Sequence, residues 1–182
     1  MVKTHPIPVT AEEMKALMDA SMDDEFYYML FTVARTTGRR LGEYYNVKVK
    51  DIDFEKGIMN TLVLKRKQYV MKEAVLLPEA LQLLKMYIRK EGLKLDDYVF
   101  RKVSKRQIHN MVKKYSKLAK IEHNVSFHNF RHYFITELVR KGWNYEKISK
   151  LTGHSSIGTL VHYDSATASD IKEDALRDVE GL

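Results

Sequence analysis

The 182-residue sequence contains no cysteine, so neither a disulfide framework nor a metal site built from thiolates can form. No apolar run approaches the ~20 residues that a membrane-spanning helix needs. Residues 1–6 lack the apolar stretch of a signal peptide, and the chain has no internal repeat, low-complexity run or long linker. We therefore expect a cytoplasmic, or otherwise intracellular, protein with no membrane partner.

The composition is that of an ordinary globular domain, with 45% hydrophobic and 30% charged residues. The formal net charge is +7, which favours a polyanionic partner, because lysine and arginine contacts to phosphates release condensed counterions. Charge alone leaves nucleic-acid binding about even with a basic but inert surface.

Local signals predict a mainly helical α+β domain with a small three-stranded antiparallel sheet. Thr10 and Glu13 form a capping box before a helix over 11–20, and a second helix after Ser21 ends near Gly38, a typical C-cap. β-branched and apolar runs over 48–77 predict the sheet, whose hairpin tip is basic. The remaining predicted helices span 40–46, 78–90, 105–120, 127–140, 144–152 and 156–163, and a tail helix is possible over 166–182.

Three short polar clusters are candidates for a functional site. They occupy residues 37–43 (TGRRLGE), 128–132 (HNFRH) and 151–156 (LTGHSS), and Tyr163 follows nine residues after His154. Taken singly, each has an ordinary structural explanation, such as a surface ion pair for an arginine or a core position for a tyrosine. A metal site is disfavoured, because no acidic partner stands at metal-site spacing beside the four candidate histidines, namely His128, His132, His154 and His162.

Together these residue types suit phosphodiester cleavage by a phenol. Tyrosine must lose a proton, and its ordinary pKa is about 10. The planar guanidinium of arginine binds two phosphate oxygens at once, and a histidine can accept or donate the proton. His128 and Arg131 lie three residues apart on a predicted helix, so they share one face and can reach one phosphate.

The three clusters resemble the motifs of the tyrosine recombinase (phage integrase) family. Residues 37–43 are similar to its T-G-x-R-x-x-E box, residues 128–132 to its H-x-L-R-H box, and residues 151–156 to its L-G-H-S-S box. Phe130 replaces the usual leucine, and Thr152 is an added or shifted residue. The resemblance covers roughly residues 7–165.

This resemblance implies a role for each matched residue. Tyr163 would be the nucleophile that forms a 3′-phosphotyrosyl bond, and Arg40 and Arg131 would clamp the non-bridging oxygens. His128 would act as base and His154 would hydrogen-bond the phosphate. Lys65, on the hairpin, would be the acid, with Lys67 as the alternative. Weaker DNA contacts are predicted for Arg39, Arg66 and Lys67, and Glu43 is expected to support the arginine box.

The resemblance also implies a metal-independent enzyme without cofactors, acting on double-stranded DNA and assembling as a tetramer on two duplexes. The resemblance begins at the catalytic domain, so residues 1–182 are expected to lack the family's N-terminal core-binding domain, either as an excised catalytic fragment, which we favour, or as a naturally short protein. As a fragment, the chain is expected to bind DNA weakly. A site-specific recombinase or integrase of a virus or other mobile element is the leading interpretation. A type IB topoisomerase-like relaxing activity and a non-catalytic DNA-binding module remain alternatives.

Overall fold

The structure is a computed structural model that describes residues 7–65 and 68–152, except for the side chains of residues 64–65 and 68–69. Its helices and strands confirm the α+β class, with a three-stranded antiparallel sheet beside a helical body. In chain order they are α1 (Ala11–Ser21), α2 (Glu25–Thr37), α3 (Leu41–Tyr44), β1 (Ile52–Asp53), β2 (Ile58–Lys65), β3 (Gln68–Val75), α4 (Pro78–Glu91), α5 (Lys105–Leu118), α6 (His128–Arg140) and α7 (Tyr145–Thr152).

Side-chain caps set several helix starts. The predicted capping box at Thr10 is confirmed, with the Thr10 Oγ1 and Glu13 carboxylate each accepting from the other's backbone N–H. Ser104 caps α5 in the same way. Ser21, however, ends α1 as a buried residue, and Asp24 is the N-cap of α2 instead. An aspartate accepts the free N–H groups of a first turn as well as a serine does, so the sequence allowed either start.

The sheet has the order β1-β2-β3, and its long hairpin pairs Ile58 with Val75 at one end and Lys65 with Gln68 at the other. The predicted three strands are confirmed, but β1 has only two residues, because Val49–Asp51 form a 3-10 turn. Met59 and Thr61 of β2 are fully buried on the face that packs on the helical body.

Helix α2 is the centre of the core and holds α6 in place. Phe31 of α2 stacks on Phe130 of α6, with ring centroids 5.0 Å apart, and meets Tyr115 of α5 edge to face. The phenylalanine at position 130 therefore fills the space between two helices that carry the first two polar clusters.

The described residues include no helix that is long and apolar enough to cross a membrane. The helix predicted over 156–163 and the possible tail helix over 166–182 lie outside the described residues.

Candidate active site

Arg131 joins the three polar clusters. It lies on α6, is 1% exposed, and its Nη1 donates to the carbonyl oxygen of Gly38 at 2.7 Å and to that of Thr152 at 2.9 Å. Gly38 belongs to the first cluster and Thr152 to the third. One guanidinium nitrogen thus fixes the end of α2 and the end of α7 beside α6.

Gly38 is required where it stands for two reasons. Its φ of +60° is left-handed, which glycine adopts without steric cost. A Cβ built there would lie 2.4 Å from Cδ1 of Phe134, a residue of α6. The close approach of the α2 C-terminus to α6 brings the Gly38 carbonyl within reach of Arg131.

Arg40 stands at the surface of the same region. It is the N-cap residue of α3, its side chain is about half exposed (49%), and its Nη1 donates to Oε1 of the buried Glu43 at 3.1 Å. The expected support of the arginine box by Glu43 therefore corresponds to a direct ion pair. The exposed guanidinium remains accessible to an anion.

His128 and His132 stack edge to face one turn apart on α6, with ring centroids 4.5 Å apart. Partial burial, followed by the positive charges of Arg131 and Arg40, lowers the pKa of His128. Burial together with His128 and Arg131 lowers the pKa of His132 to about 4. At neutral pH both rings are therefore uncharged, and His128 can accept a proton. His128 is the first residue of α6 and does not cap it, since Phe127 is the N-cap.

Arg39 is directed into the protein, whereas the adjacent Arg40 is exposed. It is 1% exposed, and its Nη2 donates to the backbone carbonyl oxygen of Glu73 on β3. Arg131 is buried to the same extent, so the weaker DNA contact predicted for Arg39 stays a prediction. The turn at Gly38 directs the first of two adjacent arginines inward and the second outward, and the sequence alone does not distinguish them.

A buried hydroxyl pair supports the turn, and sequence reasoning did not single it out. Tyr44 Oη lies 2.6 Å from Thr37 Oγ1 and accepts the backbone N–H of Arg39 at 2.8 Å. Complete burial raises the pKa of Tyr44. Thr37 ends α2 and Tyr44 ends α3, so their contact forms across the break between two helices. The sequence therefore gives no local signal for it.

The remaining predicted site residues are described less fully or not at all. Lys65 is the last residue of β2, and its backbone pairs with Gln68. Arg66, Lys67, His154 and Tyr163 lie outside the described residues. Within the described ranges, no three His, Asp or Glu side chains are grouped as metal ligands would be.

Comparisons with known proteins identify this set of motifs. Residues 8–169 match the profile of the Phage integrase family. Tyrosine recombinase XerA of Pyrococcus furiosus is 31% identical over 183 aligned positions, which cover 94% of this chain and 61% of the relative. Tyrosine recombinase XerC of Natranaerobius thermophilus is 29% identical over 91% of this chain and 60% of the relative.

Solved structures share the fold. The crystal structure of XerA recombinase superposes with a TM-score of 0.79 at 26% identity, over 98% of this chain and 65% of that one. XerH site-specific recombinase bound to a palindromic difH substrate gives the same TM-score at 20% identity, over 94% of this chain and 53% of that one.

The chain spans about three fifths of the length of the curated relatives it matches. The match to the family profile nevertheless takes in all three polar clusters and Tyr163. This chain belongs to the phage integrase family of tyrosine recombinases.

Proposed function

We propose that this chain is the catalytic portion of a site-specific DNA recombinase that cuts and rejoins DNA through a 3′-phosphotyrosyl bond at Tyr163. Its substrate would be double-stranded DNA, its reaction would need no metal ion, and its source would be a virus or other mobile element. Assembly into a tetramer on two duplexes is part of the same proposal.

The observation that carries the proposal is the double hydrogen bond of Arg131 to Gly38 and Thr152. It brings Arg40 and His128 to one place and fixes the residue that precedes Gly153-His154. The order of the three clusters in the sequence is therefore matched by their convergence in space, which a random set of polar motifs would not produce.

In the proposed reaction the attacking phenol loses one proton and the leaving 5′ oxygen gains one. The phenol oxygen of Tyr163 attacks phosphorus and loses its proton, and the bond from phosphorus to the 5′ oxygen breaks. That oxygen takes a proton from Lys65, or from Lys67. Rejoining reverses these steps, with a 5′-hydroxyl as the nucleophile, so that the energy of the phosphodiester is kept in the protein–DNA bond.

Charge at the site suits this reaction. Arg40 and Arg131 can balance the extra negative charge on the five-coordinate phosphate, together with His154, and guanidinium groups hold phosphate oxygens in a planar fork. The lowered pKa of His128 keeps its ring neutral at pH 7 and ready to take the tyrosine proton. The second negative charge that develops on the five-coordinate phosphate would then favour the protonated ring.

A covalent-adduct assay tests the proposal. We would incubate the chain in EDTA with a pool of nicked suicide duplexes of randomised core sequence and separate protein–DNA adducts on denaturing gels. The expected result is an adduct with the unaltered chain and none with Tyr163→Phe. Mapping of the linked peptide should return Tyr163.

The matched control is Tyr98→Phe, which removes the hydroxyl of a partly exposed tyrosine outside the three polar clusters and should leave adduct formation unchanged. An adduct that persists in Tyr163→Phe would exclude this nucleophile. Binding without any adduct would favour the non-catalytic DNA-binding module, and efficient relaxation of plasmids of any sequence would favour the topoisomerase-like activity.

A further inference from the structure

Glu43 is placed between two arginines of different exposure. Its Oε1 accepts from Arg40 Nη1, while its Oε2 is buried and has no hydrogen-bond partner among the described residues. Arg39, on the other side of Arg40 in sequence, is 1% exposed, and its Nε and Nη1 are buried and equally without a partner in the described ranges. A buried acceptor and two buried donors thus stay unsatisfied around one turn.

Burial of these unpaired groups lowers the free energy of unfolding. A buried guanidinium needs an opposite charge, because removal from water disfavours the charged form. Burial lowers the pKa of Arg39, and the negative charge of Glu43 acts in the opposite direction. Arg40 is a second positive charge close enough to lower the pKa of Arg39 further. Among the described residues, Glu43 is therefore the carboxylate that these two cations share.

We propose that Arg39 is a positioning residue for the arginine at the DNA phosphate, acting through Glu43. While Arg40 is paired to Glu43, it is partly neutralised and held away from an anion. When a phosphate binds Arg40, the freed Glu43 carboxylate remains balanced by Arg39. The buried arginine thereby lowers the cost of transferring Arg40 from carboxylate to phosphate. This inference rests on the proposed function, since it assumes that Arg40 binds the scissile phosphate.

Removal of Arg39 should therefore strengthen the ion pair between Arg40 and Glu43 and keep Arg40 away from a phosphate. In Arg39→Leu, Glu43 keeps its ion pair with Arg40 and loses the charge of Arg39, so the Arg40–Glu43 pair tightens and phosphate competes less well. We expect the rate of adduct formation to fall about tenfold, within the range usual for coupled neighbours. The variant should also unfold at a lower denaturant concentration, because Glu43 loses one of the two cations beside it and the Glu73 carbonyl oxygen loses its donor.

A second substitution distinguishes positioning from a simple packing role. Glu43→Gln alone leaves Arg39 uncompensated, so it should lower both the unfolding midpoint and the rate. In the Arg39→Leu background, however, Glu43→Gln releases Arg40 and should restore most of the lost rate. If Arg39 only fills space in the core, Glu43→Gln should not restore the rate of the Arg39→Leu variant.

The matched control is the pair Arg35→Leu and Glu79→Gln. Arg35 also has a buried Nε without a partner in the described part of the chain. Its Nη2 lies 2.7 Å from Oε2 of Glu79, and neither residue belongs to the three polar clusters. Neither variant should alter the rate by more than about twofold, as expected for a partly exposed pair outside the three polar clusters, and their combination should show no rescue.

Two results would overturn the inference: an Arg39→Leu rate equal to that of the unaltered chain, or strictly additive losses in the double variant. If the unaltered chain forms no adduct at all, the proposed function fails instead. The unfolding midpoints of the four chains, measured without DNA, then still decide the coupling: additivity between Arg39 and Glu43 overturns it.

Discussion

At the scale of single residues, one nitrogen atom organises this site. Nη1 of Arg131 satisfies two backbone carbonyl oxygens that end two different helices. The same guanidinium is predicted to bind phosphate, so it has a structural and a chemical duty at once. A substitution there should therefore change stability and activity together, whereas substitution of Arg40 should change activity alone.

Arg131→Lys tests this double duty. Lysine keeps the charge but lacks the rigid planar fork, so it cannot hold both carbonyls and a phosphate in the same geometry. We expect a loss of about 1–3 kcal/mol in the free energy of unfolding, the usual cost of leaving buried polar groups unpaired. Adduct formation should fall by at least about a hundredfold, as for loss of one donor to a transition-state oxyanion.

Arg140→Lys is the control for this substitution. Arg140 ends the same helix and makes one exposed contact to Glu137 at 3.4 Å. It should change the unfolding free energy by less than about 0.5 kcal/mol, as most surface changes do. Equal effects of the two substitutions would contradict the role given to Arg131.

The pKa of His132 predicts a pH dependence of stability. Its folded-state pKa of about 4 lies below the ordinary value of 6.5. Above pH 6.5 the ring is neutral in both states and has no effect. As the pH falls from 6.5 towards 4, the unfolded chain takes up the proton first, so the folded state loses stability. The loss is on the order of 3 kcal/mol at most.

His132→Gln should remove this part of the acid destabilisation, measured as the difference in unfolding free energy between the variant and the unaltered chain at pH 7 and at pH 4.5. The matched control is the exposed His109→Gln, which leaves the His128–His132 pair in place. A pH profile of His132→Gln parallel to that of the unaltered chain would refute the assignment.

The sequence predicted which residues come together better than it predicted the direction of their side chains. Arg40, His128 and Arg131 could be chosen from the sequence, since their motifs are local. The burial of Arg39 could not, because adjacent residues in a turn differ in exposure only once the packing partner is known. That partner is a carbonyl of β3, 34 residues away in sequence.

At the scale of elements, the turn between α2 and α3 carries a sharper prediction. Gly38→Ala adds a methyl group to a left-handed position, at a cost of about 1–2 kcal/mol, and drives it into Phe134. Gly92 ends α4 with a similar φ of +65°, but a Cβ there meets nothing within 4 Å. Gly38→Ala should therefore destabilise the chain clearly more than Gly92→Ala, by chemical denaturation.

The double variant Gly38→Ala with Phe134→Ala separates strain from collision. Removal of the Phe134 ring clears the space for the methyl group. The double variant should therefore lose less free energy of unfolding than the sum of the losses in the two single variants. Full additivity would show that the collision with Phe134 contributes nothing.

Helix bounds followed from short-range signals, and strand bounds did not. Capping at Thr10, Ser104 and Gly38 is decided by residues within one turn, so the predicted ends lie close to the observed ones. The prediction of strand at 48–51 was wrong for Val49–Asp51, where the backbone N–H groups of Val49 and Lys50 bond to carbonyls of the 94–97 region instead. β-branched composition cannot reveal a partner that is not a strand.

At the scale of the whole molecule, net charge predicts how DNA binding depends on salt. With a charge of +7, duplex binding by this chain should weaken steeply as salt rises. Neutralisation of six or more phosphates would lower the affinity by about 10³-fold or more between 50 and 200 mM salt. Fluorescence anisotropy with a labelled duplex measures this, and an affinity unaffected by salt would contradict a mainly electrostatic interface.

The anchor at Thr152 has a consequence for the reach of the nucleophile. Tyr163 follows Thr152 by eleven residues, so its tether starts from a point that Arg131 pins to α6. A fully extended tether of that length reaches at most roughly 40 Å. If Tyr163 is the nucleophile, as proposed, each phosphate that it attacks must lie within roughly that distance, plus the length of the tyrosine side chain, of the α7 terminus. A cut in DNA held by a partner subunit would therefore require the attacked phosphate, rather than the partner's own anchor, to come within that reach of Thr152.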